Sequence, residues 1–81
     1  MPKVFELNGY KFFFFSNEGN PREPLHIHVR KGEKLAKFWV SPTILLQDNY
    51  GFNSKELNWI ENEIEGKIMI IQDKWNDFFG L

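Results

Sequence analysis

The sequence contains no cysteine, which excludes a disulfide framework and a thiolate metal site. It has no apolar run long enough to cross a bilayer, and it does not open with the charged and apolar regions of a secretion signal. Ten basic residues nearly balance eleven acidic ones, so the net charge of −1 argues against strong non-specific binding of nucleic acid. We therefore expect a cytoplasmic protein that has no membrane segment.

What the sequence does contain is a large share of aromatic residues. Nine Phe, three Trp and two Tyr supply the bulky side chains that a small core needs. With 81 residues the chain is predicted to form a single domain over residues 1–81. Basic residues predominate in residues 26–37 and acidic residues in residues 54–65, so one part of the fold is expected to be locally basic and another locally acidic.

Turn signals divide the first half of the chain into two hairpins. Asn8-Gly9 supplies the positive φ angles of a type I′ turn, which predicts a hairpin of residues 4–7 and 10–16. The stretches "LHIHVRK" and "KLAKFWV" alternate around Gly32-Glu33 and predict a second hairpin. Ser41-Pro42 ends its last strand, because proline cannot donate to a ladder.

The second half of the chain is predicted to be helical. Residues 43–52 are apolar but short and end in Asn-Tyr-Gly, which favours one helical turn and a loop. After a cap at residues 53–54, apolar residues recur at helical spacing through residues 57–78. Gly66 costs about 1 kcal/mol relative to Ala inside a helix, so we expect a kink or break there. The order predicts an α+β fold, a four-stranded antiparallel sheet of two hairpins with a C-terminal helix packed on one face.

Four consecutive phenylalanines, Phe12–Phe15, lie in the second predicted strand. Because strand side chains alternate, the first and third rings face one way and the second and fourth face the other. A single helix covers only one face of the sheet. The second pair of rings is therefore either covered by sheet curl, by residues 43–52 or by the loop at 17–24, or exposed as a surface for a partner or for self-association.

The second hairpin gathers polar and aromatic side chains on the face opposite its apolar residues. These are His26, His28, Arg30, Lys37 and Trp39. Since the apolar face belongs to the core, we expect this set to point to solvent. Substitution of His26, His28, Arg30 or Lys37 is then expected to change the free energy of unfolding by no more than about 0.5 kcal/mol.

Two histidines at this spacing fit several chemistries. A strand H-x-H can hold a metal ion, and Glu33 extends the pattern, but no fourth ligand is evident, so we predict neither a metal nor a cofactor. The histidine-triad nucleotide hydrolases carry a third histidine where this chain has Arg30. The similarity to a metal-binding pattern and the similarity to the histidine triad are both weak.

Acid–base chemistry on a phosphodiester is a further alternative. One histidine would deprotonate a ribose 2′-hydroxyl and the other would protonate the leaving oxygen, while Arg30 or Lys37 stabilises the charge. In the competing interpretation both histidines are structural and are hydrogen-bonded to loop residues such as Asn17, Glu18 or Glu23. The residues leave the choice between these two interpretations open.

The first forty residues, the stretch "GFNSKEL" and the ending "WNDFFG" resemble a small bacterial and archaeal family, the DUF4160-type domains of unknown function. The pattern F-F-F-x-S-N-E…P-x-H-I-H-V is the most specific part of the resemblance, and an additional Arg-Glu before "PLHIHV" departs from it. The resemblance implies an uncharacterised activity and a neighbouring gene for a second small domain, an arrangement similar to toxin–antitoxin operons. It marks as pattern residues Ser16, Asn17, Glu18, His26, His28 and residues 37–39.

We therefore expect a toxin–antitoxin-like module that binds a small partner protein encoded nearby, with RNA as a second candidate partner. The predicted binding residues are Ser16, Asn17, Glu18, Arg30, Lys37 and Trp39. The alternatives are a metal-independent ribonuclease with His26 and His28 as catalytic residues, and a purely protein-interacting domain. The chain has neither a clear nucleophile nor a complete ligand set, so the sequence does not decide whether it is an enzyme.

Overall fold

A computed structural model describes residues 3–15 and 23–80 of the chain. Over these residues it contains one five-stranded antiparallel sheet, with strand order β1-β2-β3-β4-β5, followed by two helices. The elements are β1 (Lys3–Leu7), β2 (Tyr10–Phe13), β3 (His26–Lys31), β4 (Lys34–Trp39), β5 (Leu45–Tyr50), α1 (Ser54–Gly66) and α2 (Ile68–Phe79). The predicted α+β class is confirmed, with one strand more than expected.

Both predicted hairpins are present. Asn8 has φ 53° and Gly9 has φ 81°, which are the two positive angles that a type I′ turn needs between β1 and β2. Gly32, with φ 60°, turns the chain between β3 and β4. The turn signals therefore identified both chain reversals, although β2 ends at Phe13 rather than at residue 16.

The prediction of a helical turn and a loop for residues 43–52 is wrong. Leu45–Tyr50 forms β5 and pairs with β4, with a register shift at Lys37/Phe38. All six of its residues are exposed, so no face of the segment is buried and its sequence has no period-two pattern. Backbone pairing with β4, rather than side-chain burial, defines this strand.

The expected interruption of the C-terminal helix is confirmed. Lys67 has φ −126° and ψ 22°, outside the helical region, and separates α1 from α2 directly after Gly66. The cap is also present: the Asn53 side chain accepts a hydrogen bond from the backbone N–H of Glu56, and the Glu56 carboxylate accepts one from the backbone N–H of Asn53. The helix therefore begins where the sequence predicted it.

The core lies between one face of the sheet and the two helices. The strands and their flanks contribute Phe12, Phe14, Ile27, Val29, Ala36 and Phe38, and the helices contribute Ile60, Ile64, Ile71 and Trp75. Alternation along the strands directs a second set of side chains to the opposite side, which we call the outer face. The outer face comprises Lys3, Glu6, Lys11, Phe13, His26, His28, Arg30, Leu35, Lys37, Trp39, Leu45, Asp48 and Tyr50.

Neither α1 nor α2, the helices of the described part of the chain, is long and apolar enough to span a membrane.

Candidate functional site

The strand register brings the predicted hairpin residues together on the outer face. His26 stands opposite Trp39, and His28 stands opposite Lys37, on the adjacent strands β3 and β4. Arg30 lies two residues beyond His28 on the same side of β3. The predicted grouping on one face is therefore confirmed, but its environment differs from the expectation.

His26 is buried, and the expectation that it points to solvent is wrong. Its side chain has 0% exposure, and its ring lies 5.1 Å from the Trp75 ring of α2 and 5.5 Å from that of Trp39, measured between centroids. Its Nδ1 lies 3.0 Å from the carbonyl oxygen of Pro24. Because a carbonyl oxygen only accepts, Nδ1 carries the proton and donates this bond. Trp75 closes over the end of β3, a contact that strand alternation alone does not reveal.

His28 is also buried, with 5% exposure. Its ring lies 4.1 Å from the Phe15 ring and 5.6 Å from the Phe13 ring, between centroids. Phe13 itself is buried and Phe15 is half-buried. The second pair of phenylalanine rings therefore packs with His28, which favours the covered alternative over an open phenylalanine surface.

Glu23 connects His26 to Lys37. Its carboxylate accepts a hydrogen bond from the Lys37 ammonium at 3.3 Å, and the same oxygen lies 3.6 Å from Nδ1 of His26. The Lys37 nitrogen also lies 4.6 Å from the centroid of the Trp39 ring, within the range of a cation–π interaction. Lys37 and Trp39 are thus fixed against each other at the margin of the histidine cluster. The predicted binding residues Ser16, Asn17 and Glu18 lie outside the described residues.

Two shallow pockets flank this cluster on the outer face. One, of about 200 Å³, lies between the cluster and β5 and is lined by Phe15, His28, Leu35, Ala36, Lys37, Asp48 and Tyr50. The other, also of about 200 Å³, lies on the side of β1 and is lined by Lys3, Lys11, Phe13 and Arg30. The surroundings of the two pockets differ, since one adjoins an exposed edge strand and the other is surrounded by cations.

Sequence reasoning missed several of these residues. Tyr50 and Asp48 were hidden by the incorrect helical assignment of residues 43–52. Lys11 could have been found, because alternation along β2 puts it on the same side as Phe13. Lys3 could not, because it reaches that side only through the register irregularity between Lys3 and Phe5. The charges of these two lysines act on the neighbouring Glu6. The pKa of Glu6 lies below its ordinary value, first because of the hydrogen bond from Lys3 and then because of the positive charges of Lys3 and Lys11.

Within residues 3–15 and 23–80 there is no cluster of three or more His, Asp or Glu side chains that could hold a metal ion. The absence of a metal site in the protein stays a prediction. The His26 and His28 rings are 5.4 Å apart between centroids and nearly perpendicular, at 86°. The described geometry is therefore that of two packed aromatic rings.

Comparison with known protein families gives one match. The sequence profile described as "Domain of unknown function (DUF4160)" matches residues 9–76. This range contains β2 to β5, α1 and most of α2. Comparison with curated proteins and with solved structures gives no match.

Proposed function

The chain belongs to the DUF4160 family, whose description names no activity, and we propose a function from the geometry. The domain is a cytoplasmic, toxin–antitoxin-like module that binds a strand of a partner protein along β5. The toxin–antitoxin character rests on the gene arrangement that the family resemblance implies. The cytoplasmic location fits a chain without cysteine. The mode of binding rests on the structure of one sheet edge.

The observation that carries the proposal is the exposure of β5. It is the last strand of the described sheet and pairs only with β4 there. Leu45 is 58% exposed, Leu46 39% and Tyr50 74%, so apolar and aromatic surface accompanies the open edge. An exposed apolar edge strand is a template for pairing with another chain, and such edges are usually protected.

The opposite edge of the sheet is protected in the usual way. β1 has a register irregularity between Lys3 and Phe5, and its Lys3 ammonium donates a hydrogen bond to Glu6 at 3.0 Å. Bulges and charged side chains are the common means by which an edge strand avoids pairing. β5 carries a single charged residue, Asp48. The pairing of β5 with β4 also has a register irregularity, so the contrast between the two edges rests on charge, and it favours β5 as the binding edge.

The pocket beside β5 supports the same mode. A strand added to a sheet edge gains affinity from backbone hydrogen bonds and specificity from pockets that receive every second side chain. The pocket can receive one such side chain, because its apolar lining includes Phe15, Leu35 and Tyr50. The oppositely charged Lys37 and Asp48 also line it. We expect an aliphatic or aromatic partner residue there.

The burial of the histidines weighs against the ribonuclease alternative. A general base must come within hydrogen-bond reach of the proton that it removes. His26 is fully buried and His28 is 5% exposed, so neither ring is open to a polymeric substrate. Both rings instead pack against aromatic side chains, which fits a structural role for the histidines and a binding role for the exposed residues around them.

The test is binding to the purified product of the neighbouring gene, measured by calorimetry. We expect Leu45→Lys to weaken binding at least tenfold, since it places a charge on the pairing edge; this corresponds to about 1.4 kcal/mol. Met69→Lys, on the 77% exposed side chain of α2, is the matched control and should leave affinity unchanged. Equal affinity of Leu45→Lys and the parent protein would exclude β5 as the binding edge.

A further inference from the structure

The cations of the outer face stand in an unusual arrangement at its β1 side. Lys11 and Arg30 are directly opposite each other on the neighbouring strands β2 and β3. Like charges in this position repel and destabilise a sheet. Glu6 stands opposite Lys11 on β1 and is hydrogen-bonded to Lys3, so Lys3, Lys11 and Arg30 have this one carboxylate among them in the described structure. The repulsion between Lys11 and Arg30 is therefore only partly offset.

A bound anion would relieve this repulsion, and a pocket is present for it. Lys3, Lys11 and Arg30 surround a space of about 200 Å³ whose apolar wall is Phe13. Sites that enclose a drug-sized molecule usually measure roughly 300–1,000 Å³. The pocket therefore suits one charged group of an extended ligand rather than a whole small molecule.

An exposed aromatic ring lies in the same cross-strand row. Arg30 is opposite Leu35 on β4, and Leu35 is opposite Tyr50 on β5. Neighbouring strands are about 4.8 Å apart, so Tyr50 is about 10 Å from Arg30 and about 15 Å from Lys11 across the sheet. With 74% exposure, the Tyr50 ring can receive a planar group from solvent.

We propose that a single-stranded nucleic acid crosses the outer face along this row, with a backbone phosphate at Lys3, Lys11 and Arg30 and a base stacked on Tyr50. Grooves that bind single strands combine cations for the backbone with aromatic rings for the bases. An acidic peptide would explain the cations alone. The ring in register with them favours nucleic acid.

The near-zero net charge does not oppose this proposal, because most of the acidic side chains belong to the helices. Those on the opposite side of the sheet are Glu56, Glu61, Glu63, Glu65 and Asp73, whereas Asp77 lines a pocket together with Lys3. At physiological ionic strength, exposed charges farther apart than about 8 Å are largely screened. The outer face therefore acts on a ligand through its own charges, among which Lys3, Lys11, Arg30 and Lys37 outnumber Glu6 and Asp48.

Binding of a short labelled oligouridine and of the matching oligodeoxythymidine, followed by fluorescence anisotropy across a salt series, tests the proposal. We expect Lys11→Ser and Arg30→Ser each to weaken binding and to lower the slope of log Kd against log salt by about 1. Lys55→Ser, an exposed lysine of α1, is the matched control and should change neither. A preference for the ribose strand would indicate a contact with the 2′-hydroxyl, and equal binding of both strands also supports the proposal.

Substitutions of Tyr50 distinguish nucleic acid from other polyanions as the ligand of this face. Tyr50→Ser should weaken binding about five- to tenfold without a change in the salt slope, and Tyr50→Phe should restore it because the ring is retained. Thermal melts of every variant should match that of the parent protein. Undetectable binding by the parent protein, an equal loss in Lys55→Ser, or an unchanged affinity in Tyr50→Ser would overturn the proposal. Each result is independent of the partner-protein assay with Leu45→Lys.

Discussion

The carboxylate of Glu56 accepts a hydrogen bond from the Lys34 ammonium at 2.9 Å and thereby joins the first turn of α1 to β4. The same side chain accepts a bond from the backbone N–H of Asn53 at 3.0 Å and one from the Tyr10 hydroxyl at 3.3 Å. These contacts favour the charged form, so the pKa of Glu56 lies below its ordinary value, first because of Asn53 and then because of Lys34. One ionised group thus holds the helix start against the sheet.

The first prediction is that Glu56→Gln reduces the acid sensitivity of folding. Since the pKa of Glu56 is lower in the folded than in the unfolded chain, its stabilisation is complete above the unfolded value, near 4.5, and is lost as the pH falls through the folded value. The parent protein should therefore lose more stability between neutral pH and about pH 3 than Glu56→Gln does. Urea unfolding across this range measures the difference. Glu61→Gln, on the exposed side of α1, should retain the parent profile; identical profiles for all three proteins would contradict the role of Glu56.

The second prediction concerns the phenylalanine strand. Phe14 has 0% exposure and packs edge-on against Trp75, with ring centroids 5.1 Å apart. Phe14→Ala should cost about 3–5 kcal/mol of unfolding free energy, the usual range for a buried aromatic ring. Phe78→Ala, at a ring that is 42% exposed, should cost clearly less. Chemical denaturation measures both, and equal losses would show that Phe14 is not the central ring of the core.

The third prediction replaces the expectation that the histidine hairpin is neutral for stability. His26 is buried between two tryptophans, so His26→Ala should leave a cavity and cost more than about 2 kcal/mol. Arg30→Ala, on the same face and exposed, should stay within about 0.5 kcal/mol of the parent protein. A thermal melt distinguishes the two variants. Parent-like stability of His26→Ala would mean that the ring is open to solvent after all.

The fourth prediction compares two glycines. Gly66 has an ordinary φ at the end of α1, and an added Cβ would meet no atom within 4 Å. Gly66→Ala should therefore stabilise the protein by about 0.4–1 kcal/mol. Gly51 has φ 96°, and an added Cβ would lie 3.1 Å from Cγ of Lys34, so Gly51→Ala should destabilise it. Urea midpoints of both variants test the opposite signs, and a shared sign would be evidence against one of these backbone angles.

The elements that the sequence predicted are those with a strong local signal. Asn8-Gly9 dictates a type I′ turn whatever surrounds it, and the Asn53 cap needs only Glu56 three residues later. The apolar stripe of the helices also emerges from spacing alone. β5 could not be predicted in this way, because its six exposed residues have no buried face and depend on a strand that is already present.

The sequence predicted which side chains of the second hairpin share a face, but it did not predict that two of them are buried. Alternation places His26 and His28 together on one side of β3, as the register confirms. Their burial depends on rings from elsewhere in the chain, Trp75 for His26 and Phe15 for His28. Alternation assigns a side chain to a face, but tertiary packing decides whether that part of the face meets water.

The order of the strands bears on how the chain folds. Each strand of the described sheet pairs with the strand before or after it in the sequence, so no pairing requires the ends of a long segment to meet first. Chains with such local contacts fold quickly, and an isolated hairpin forms in about 1–10 μs. The contacts of α2 with β1 and of α1 with Tyr10 of β2 are exceptions, because they join distant parts of the chain. The slow step of folding is therefore expected to be the closure of the helices over a sheet whose hairpins have already formed.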